Sequence, residues 1–304
     1  MKIILAYLSV VIIWSTTPLA IQWSSISFSF SAAVMFRMVF ALLICLVILC
    51  VTRKPLIKSS SDWLVFFVGA LGLFPNMVLV YWAAQYISSG VMSVLFGVYP
   101  FLVGFFSLFL LKENIFNSAR IAALLLAIVG VILIQYEHFH VGDDAVYGIL
   151  AMLIATISFA LSSVWLKSIG KTIEPLRQLT GVLLLATPCF VVCWWFMDGV
   201  MPQNITMKSI LAVAYLVVAG SVIGGIMFYI VLKQCSVLAI SFITLLTPII
   251  AICLGVIFAG EKHGYLAVFG CFMVMFSLAL YQGILYRFYK KVRVWRMGRA
   301  TIMS

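Results

Sequence analysis

The chain alternates between long apolar runs and short polar breaks. The runs fall at about 3–23, 31–51, 63–86, 90–111, 119–136, 146–166, 178–197, 209–232, 236–259 and 265–286. The breaks carry charge or turn residues, as in Thr52-Arg53-Lys54-Pro55 and Gly142-Asp143-Asp144. A bilayer-crossing helix takes roughly 17–25 apolar residues, and every run falls in that range. A membrane β-barrel would alternate polar and apolar residues in stretches of about ten, which these runs do not do. The pattern predicts an all-α integral membrane protein with ten transmembrane helices. The tightest hairpins are required at Ser88-Ser89-Gly90 and Gln234-Cys235-Ser236. The first run follows Lys2 but contains Trp14, Pro18 and Trp23 and lacks a small-x-small cleavage site, so it reads as a retained helix and not as a signal peptide.

Ten spans suggest five plus five. A shift of 148 residues lays the third and fourth spans on the eighth and ninth without a gap, pairing Gly72 with Gly220, Tyr81 with Tyr229 and Ser88 with Ser236. The same shift pairs Ser93 with Ser241, Pro100 with Pro248 and Glu113 with Glu261. The kinds of residue matched carry more weight than their number: a mid-span proline, a terminal glutamate, a shared tyrosine and the hairpin serine. Because five is odd, the second half enters from the opposite side. The expected units are a first repeat over 1–144, an inverted second repeat over 145–286 and a basic tail over 287–304. Inverted repeats are a common construction of secondary transporters, with the substrate site near the midplane between the halves.

Composition fixes the solvent. Apolar residues make up 65% and charged residues 9%, and the mean hydropathy is +1.25. A soluble domain would be about half apolar and a quarter charged, so a soluble enzyme, a disordered chain and a disulfide-rich secreted module are excluded. The net charge of +11 is explained by topology. With the N-terminus in the cytoplasm, that side collects Lys2, Arg53, Lys54, Lys58, Lys112, Arg120, Lys167, Lys171, Arg177, Lys233, Arg287, Lys290, Lys291, Arg293, Arg296 and Arg299. Only Lys208 and Lys262 fall outside, and the acidic stretch Glu137 to Asp144 joins them there. This is a strong positive-inside bias, with both termini cytoplasmic. The basic tail then faces the anionic inner leaflet and is not a nucleic-acid arm.

The packing pattern agrees. The fourth span carries Gly90, Ser93, Gly97, Pro100, Gly104 and Ser107 as one stripe, and the ninth carries Ser241, Thr244, Pro248, Ala251 and Gly255. Gly220 and Gly224 add a small-xxx-small pair in the eighth. Lipid is as apolar as leucine, so helices associate where small residues let backbones approach. These stripes are expected to mark buried helix contacts and not the substrate path. Pro100 and Pro248 each remove a backbone hydrogen bond, as static kinks or as hinges for rocking one half against the other.

The run Ala83-Ala84-Gln85-Tyr86-Ile87-Ser88-Ser89-Gly90, followed by Tyr99-Pro100 and Lys112-Glu113, resembles the fourth-helix signature of the drug/metabolite transporter superfamily, in its EamA-type branch. The second half repeats it as Tyr229 to Ser236, then Thr247-Pro248, then Gly260-Glu261. Trp14-Ser15 and Phe36-Arg37 also match, and the resemblance covers nearly the whole chain. Ser88-Ser89-Gly90 stands where Ser-Ala is more usual, and a Trp is missing near Phe159. The resemblance implies a ten-helix inner-membrane exporter or exchanger of amino acids, related metabolites or drugs, working by alternating access. It also marks Glu113 and Glu261 as motif residues, for which a structural role is expected: gating contacts or capping of the following helix.

Arg120 lies at the very start of its run, and Arg37 is the one basic residue well inside a predicted span, about 9 Å deep from Ser31 at 1.5 Å per residue. Insertion of Arg near a helix centre costs about 2.5–3.5 kcal/mol, so it should face protein or water. Its planar fork suits the carboxylate of an amino acid or another organic anion. The other readings are that it ties down free carbonyls of a kinked neighbour or snorkels outward. No Asp or Glu lies near the middle of a span, as an efflux pump for lipophilic cations would need, so the expected substrate is zwitterionic or anionic. Further candidate contacts are Asn76, Trp82, Tyr99, Trp165, Tyr229 and Thr247. Asn76 has interhelical bonding as an equal alternative.

No metal, cofactor or enzymatic activity is expected. His138 and His140 lie in a flexible acidic loop, the seven cysteines read as small apolar side chains, and phosphate-loop and hydrolase motifs are missing. The expected function is secondary export of a small polar metabolite by a monomer or homodimer. The rivals are multidrug efflux and, in a different class, a membrane sensor or scaffold without transport.

Overall fold

The computed structural model describes residues 2–113, 117–139, 144–170, 173–201, 203–235, 240, 243–260 and 264–281. Among the described residues every regular element is helical. Seven helical runs are long and apolar enough to cross a membrane: Ile3–Ser24, Phe30–Val51, Asp62–Ala83, Ser89–Leu110, Ala145–Ile169, Pro175–Met197 and Met207–Gln234. In chain order the elements are α1 (Lys2–Ser24), α2 (Phe30–Val51), α3 (Asp62–Leu73), α4 (Asn76–Ala83), α5 (Ser89–Phe96) and α6 (Tyr99–Leu110). There follow α7 (Ser118–Phe139), α8 (Ala145–Ile169), α9 (Pro175–Met197) and α10 (Met207–Tyr215). A π-helical segment (Leu216–Ile223) then leads into α11 (Gly224–Gln234), followed by α12 (Ile243–Ala259) and α13 (Tyr265–Tyr281). Glu261, His140 and the basic tail lie outside the described residues.

The helix starts are set by short polar side chains. Ser29 in extended conformation accepts from the Ala32 N–H, Ser88 from Val91 and Thr206 from Ser209, each giving an otherwise unpaired first-turn donor a partner. Gly170 closes α8 at φ +66°, a left-handed backbone that suits glycine. Ser88 therefore makes the hairpin expected at Ser88-Ser89-Gly90, with α5 beginning at Ser89.

Two predicted spans are not continuous rods. The third breaks between α3 and α4 at Phe74-Pro75, and the fourth between α5 and α6 at Gly97-Val98, so that Pro100 lies in the first turn of a new helix. Pro75 has no N–H to give the Leu71 carbonyl, and the Ser158 hydroxyl of α8 donates to that carbonyl at 2.8 Å instead. Ser162, one turn on, donates to the Val68 carbonyl at 2.7 Å. A broken helix inside the bilayer is thus resatisfied by hydroxyls from its neighbour. Pro248 lies within α12.

The small-residue stripe of the fourth span is buried throughout, as expected. Helices of the two halves pack on one another: α1 against α11 and α12, α2 and α3 against α9, α3 and α4 against α8, and α7 against α13. Gly181 of α9 shows how close the approach is, because a Cβ built on it falls on the ring of fully buried Phe66 of α3. Gly181→Ala is expected to destabilise the protein by about 1–3 kcal/mol through this overlap. Detergent-unfolding midpoints of the two proteins will show the loss, and equal midpoints would mean that α3 can shift aside.

Arg177 corrects the placement read from sequence. It was expected in a cytoplasmic loop, but it lies in the first turn of α9 with 5% exposure. Its Nη2 donates to Asp62 Oδ2 at 2.9 Å and to the Leu56 carbonyl at 2.9 Å, and its Nε to the Pro55 carbonyl at 2.7 Å.

Candidate functional site

A cavity of about 170 Å³ lies between the helices of both halves. The first half supplies Trp14, Thr17 and Pro18 from α1, Arg37 from α2, Gly69 and Gly72 from α3, Asn76 from α4, and Ser93 and Phe96 from α5. The second half supplies Phe159, Ser162 and Ser163 from α8, Val182 from α9, Gly220 and Ser221 from the π segment, Phe228 and Tyr229 from α11, and Thr247 from α12. Ser93 belongs to the buried stripe and also faces this space, so stripe and cavity wall overlap, contrary to the expectation that they would be separate. Gly72 and Gly220, which a 148-residue shift of the sequence superposes, both line it.

Arg37 is 4% exposed, which excludes outward snorkelling. Its Nε donates to Ser221 Oγ at 2.8 Å, and Nη1 is 3.5 Å from the Tyr81 hydroxyl. No carboxylate pairs with it among the described residues, whereas the other buried arginine, Arg177, has Asp62. The π segment makes room for it. Gly220 lies so close that a Cβ there would be 3.0 Å from Arg37 Nη2, and the wider turn presents Ser221 beside it. π turns inside α-helices often occur at functional sites.

Asn76 is 1% exposed. Its Nδ2 donates to the Ala155 carbonyl at 2.6 Å, the interhelical bond considered from sequence, while its Oδ1 has no hydrogen-bond partner among the described residues. Asn76 thus lines the cavity, while its unpartnered oxygen is fully enclosed.

The remaining wall is largely apolar and includes an aromatic cluster. The Trp14 ring is 5.8 Å from Phe96, 5.7 Å from Phe159 and 5.3 Å from Phe228, and Phe159 is 5.2 Å from Phe228. Rings from both halves thus meet edge to face or tilted.

Of the candidates read from sequence, Arg37, Asn76, Tyr229 and Thr247 line this cavity, and Trp82, Tyr99 and Trp165 do not. Tyr99 is buried one layer back, stacked on Phe96 at 5.7 Å and 5.4 Å from Phe159. Trp82 packs on Tyr86 at 5.2 Å, and Trp165 is half-buried along α8. Glu113 is exposed, and the cap of α7 is Asn117, whose Oδ1 accepts from Arg120 N at 2.9 Å; the capping role for Glu113 is corrected accordingly. Sequence reasoning missed Ser221, Ser162 and Phe228. Ser221 adjoins Gly220, a position that the 148-residue shift pairs with Gly72.

The model of the EamA-like transporter family matches residues 1–136 and 146–282. The chain belongs to that family. It is a multi-pass membrane transporter, as the fourth-helix resemblance implied. Relatives of this EamA-like transporter include Protein PecM of Dickeya dadantii (strain 3937), 25% identical over 251 residues that cover 81% of this chain and 82% of that one. The uncharacterized transporter YvbV of Bacillus subtilis (strain 168) is 23% identical over 286 residues, covering 91% and 90%. A solved crystal structure at 17% identity superposes with a TM-score of 0.67 over 92% of this chain and 96% of that chain, which shows a shared fold.

Proposed function

We propose that this EamA-like transporter is a secondary exporter of a small polar metabolite, an amino acid or related organic anion, working by alternating access. In this reading ten spans form two inverted five-helix repeats in the inner membrane, with both termini cytoplasmic. The two stretches matched by the family model and the charge distribution support that arrangement. The observation that carries the substrate class is Arg37: a buried guanidinium on the wall of a cavity between the two halves, with no carboxylate partner among the described residues. An intramembrane charge in such a place marks a substrate path by default, and a fork of N–H donors suits a carboxylate. Pro100 and Pro248, in equivalent spans, would let those helices bend as the halves rock. Glu113 and Glu261 would make gating contacts at the helix ends.

Proteoliposomes loaded with a mixture of amino acids and small carboxylates test the reading. Time-dependent loss of a subset under an imposed gradient is expected, with no loss from empty vesicles. Retention of every solute, together with changed drug sensitivity of cells lacking the protein, would favour multidrug efflux.

A further inference from the structure

One kind of contact recurs at the two ends of the cavity. Gln22 stands two residues before the end of α1, and its Nε2 donates to the Ile87 carbonyl in the α4–α5 connection at 3.3 Å. Lys167 stands two residues before the end of α8, and its Nζ donates to the carbonyl of Cys235, which ends α11, at 2.8 Å. The 148-residue shift that pairs Tyr81 with Tyr229 also lays Ile87 on Cys235. The two contacts lie at opposite ends of the bundle. α8 starts against the α4–α5 connection, where a Cβ built on Gly148 would be 3.1 Å from the Ile87 side chain, and the rise from Gly148 to Lys167 is about 28 Å. The cavity extends from one contact to the other, because the residues just before the two donors, Ile21 and Leu166, both line it. Each bond joins helices that pack on different neighbours: α1 packs on α11 and α12, and α8 on α3, α4 and α6.

From this arrangement we propose that Gln22 and Lys167 gate the cavity: each bond, when made, closes its own end, and transport breaks the two in turn. The gates differ in strength. A side-chain amide donating to a carbonyl makes a neutral bond, whereas the lysine ammonium is a charged donor, and such bonds are roughly twice as strong. The lysine end is also fastened twice, since Lys233 near the end of α11 donates to the Ile173 carbonyl of the α8–α9 connection at 3.1 Å. A lysine in the last turn of a helix commonly serves the free carbonyls of that helix. Here each lysine instead reaches the chain that follows, or ends, the other one's helix. The protein therefore rests with the lysine end shut and opens first beside Gln22. Opening the lysine end does not strand the ammonium, because Glu113, just beyond α6 and so beside α8, acts on it electrostatically. The inference rests on the transport reading above and assigns it two gate residues of unequal strength.

The test is amide hydrogen exchange of the full-length protein in lipid nanodiscs, read in peptides that contain Ile87 and in peptides that contain Cys235. Lys167→Met removes the charged donor and keeps the length of the side chain. It should speed exchange around Cys235 by about tenfold or more and, because the two ends alternate, slow it around Ile87. Gln22→Leu should do the reverse, speeding exchange around Ile87 by only about threefold, since that bond is the weaker one. Lys167→Arg keeps a charged donor and should stay within about twofold of the wild type at both ends. A bond that merely ties two elements together would loosen its own end and leave the far end unchanged. No response at the far end in either variant therefore overturns the proposal, and so does faster exchange throughout both. Gln22→Leu removes no charge, so it decides the coupling even where Lys167→Met fails to fold. A larger effect of Gln22→Leu than of Lys167→Met overturns the order of the gates. Flux in proteoliposomes separates the two readings: flux with uncoupled ends overturns the gates and leaves transport standing. Coupled ends without flux of any solute remove the transport reading and leave the coupling.

Discussion

Arg37→Ala is expected to lower solute flux in proteoliposomes by roughly 100-fold, with most of the protein still folded. The size follows from two effects. A charged hydrogen bond contributes about 1.5–3 kcal/mol, or about 10–150-fold, and a carboxylate can take two from a guanidinium fork. Removing the guanidinium also leaves the Ser221 hydroxyl without its donor in a buried position. Arg37→Lys should recover only part of the flux, because an ammonium is a point charge and cannot both donate to Ser221 and present a fork. Folding should survive, because among the described residues Arg37 makes two side-chain hydrogen bonds, one of them long at 3.5 Å, and pairs with no carboxylate that its loss would strand. The checks are flux at matched protein amounts and an unfolding midpoint for each variant. Unaltered flux with a lowered midpoint would make Arg37 a structural residue that ties α2 to the π segment.

Much of this site can be read from the sequence, and the reasons for the exceptions are physical. Arg37 and Asn76 stand out because a charge or amide in an apolar run is costly to bury and so announces a partner or a function. The run boundaries fall within a few residues of the helix ends: 31–51 was expected where α2 covers Phe30–Val51. The π segment was not legible. It inserts a wider turn into a span that is apolar nearly all round, where no polar phase exists to be shifted. The break before Pro100 was visible as a proline but not as a helix start, because Gly97 and Val98 keep right-handed helical dihedrals across it.

The aromatic residues show a different limit. Trp82, Tyr99 and Trp165 were singled out, yet the cavity is lined by Trp14, Phe96, Phe159 and Phe228. In a chain with 24 Phe, 12 Tyr and 8 Trp, almost every helix face carries a ring, so ring identity says little about which face turns inward. Only the contacts between helices decide it. The same holds for partners far apart in sequence: Asn76 bonds to Ala155 and Arg37 to Ser221, and no local pattern links either pair.

Asp62→Ala is expected to destabilise the protein more than any other single change considered, by about 3–5 kcal/mol. Asp62 and Arg177 form a salt bridge of 2.9 Å with side-chain exposures of 2% and 6%, at the starts of α3 and α9. The same carboxylate accepts from the backbone N–H of Lys58 and Ser59 at 2.9 and 3.3 Å, while Arg177 donates to the Pro55 and Leu56 carbonyls. One ion pair therefore fastens the whole connection between α2 and α3 onto α9, and so joins the two halves at that end. Removing the carboxylate strands a buried guanidinium and frees the loop. The nearby Lys54–Glu174 pair makes a control, because its side chains are 42% and 40% exposed. Solvent screens such a pair, so Lys54→Ala should change stability by less than about 1 kcal/mol. The double change Asp62→Leu with Arg177→Met should recover much of the loss, because desolvation of both ions is then avoided. Detergent-unfolding midpoints of the wild type and these three variants separate the outcomes. If Asp62→Ala and Lys54→Ala shift the midpoint equally, the buried pair is no stronger than a surface one and the join between the halves must be made elsewhere.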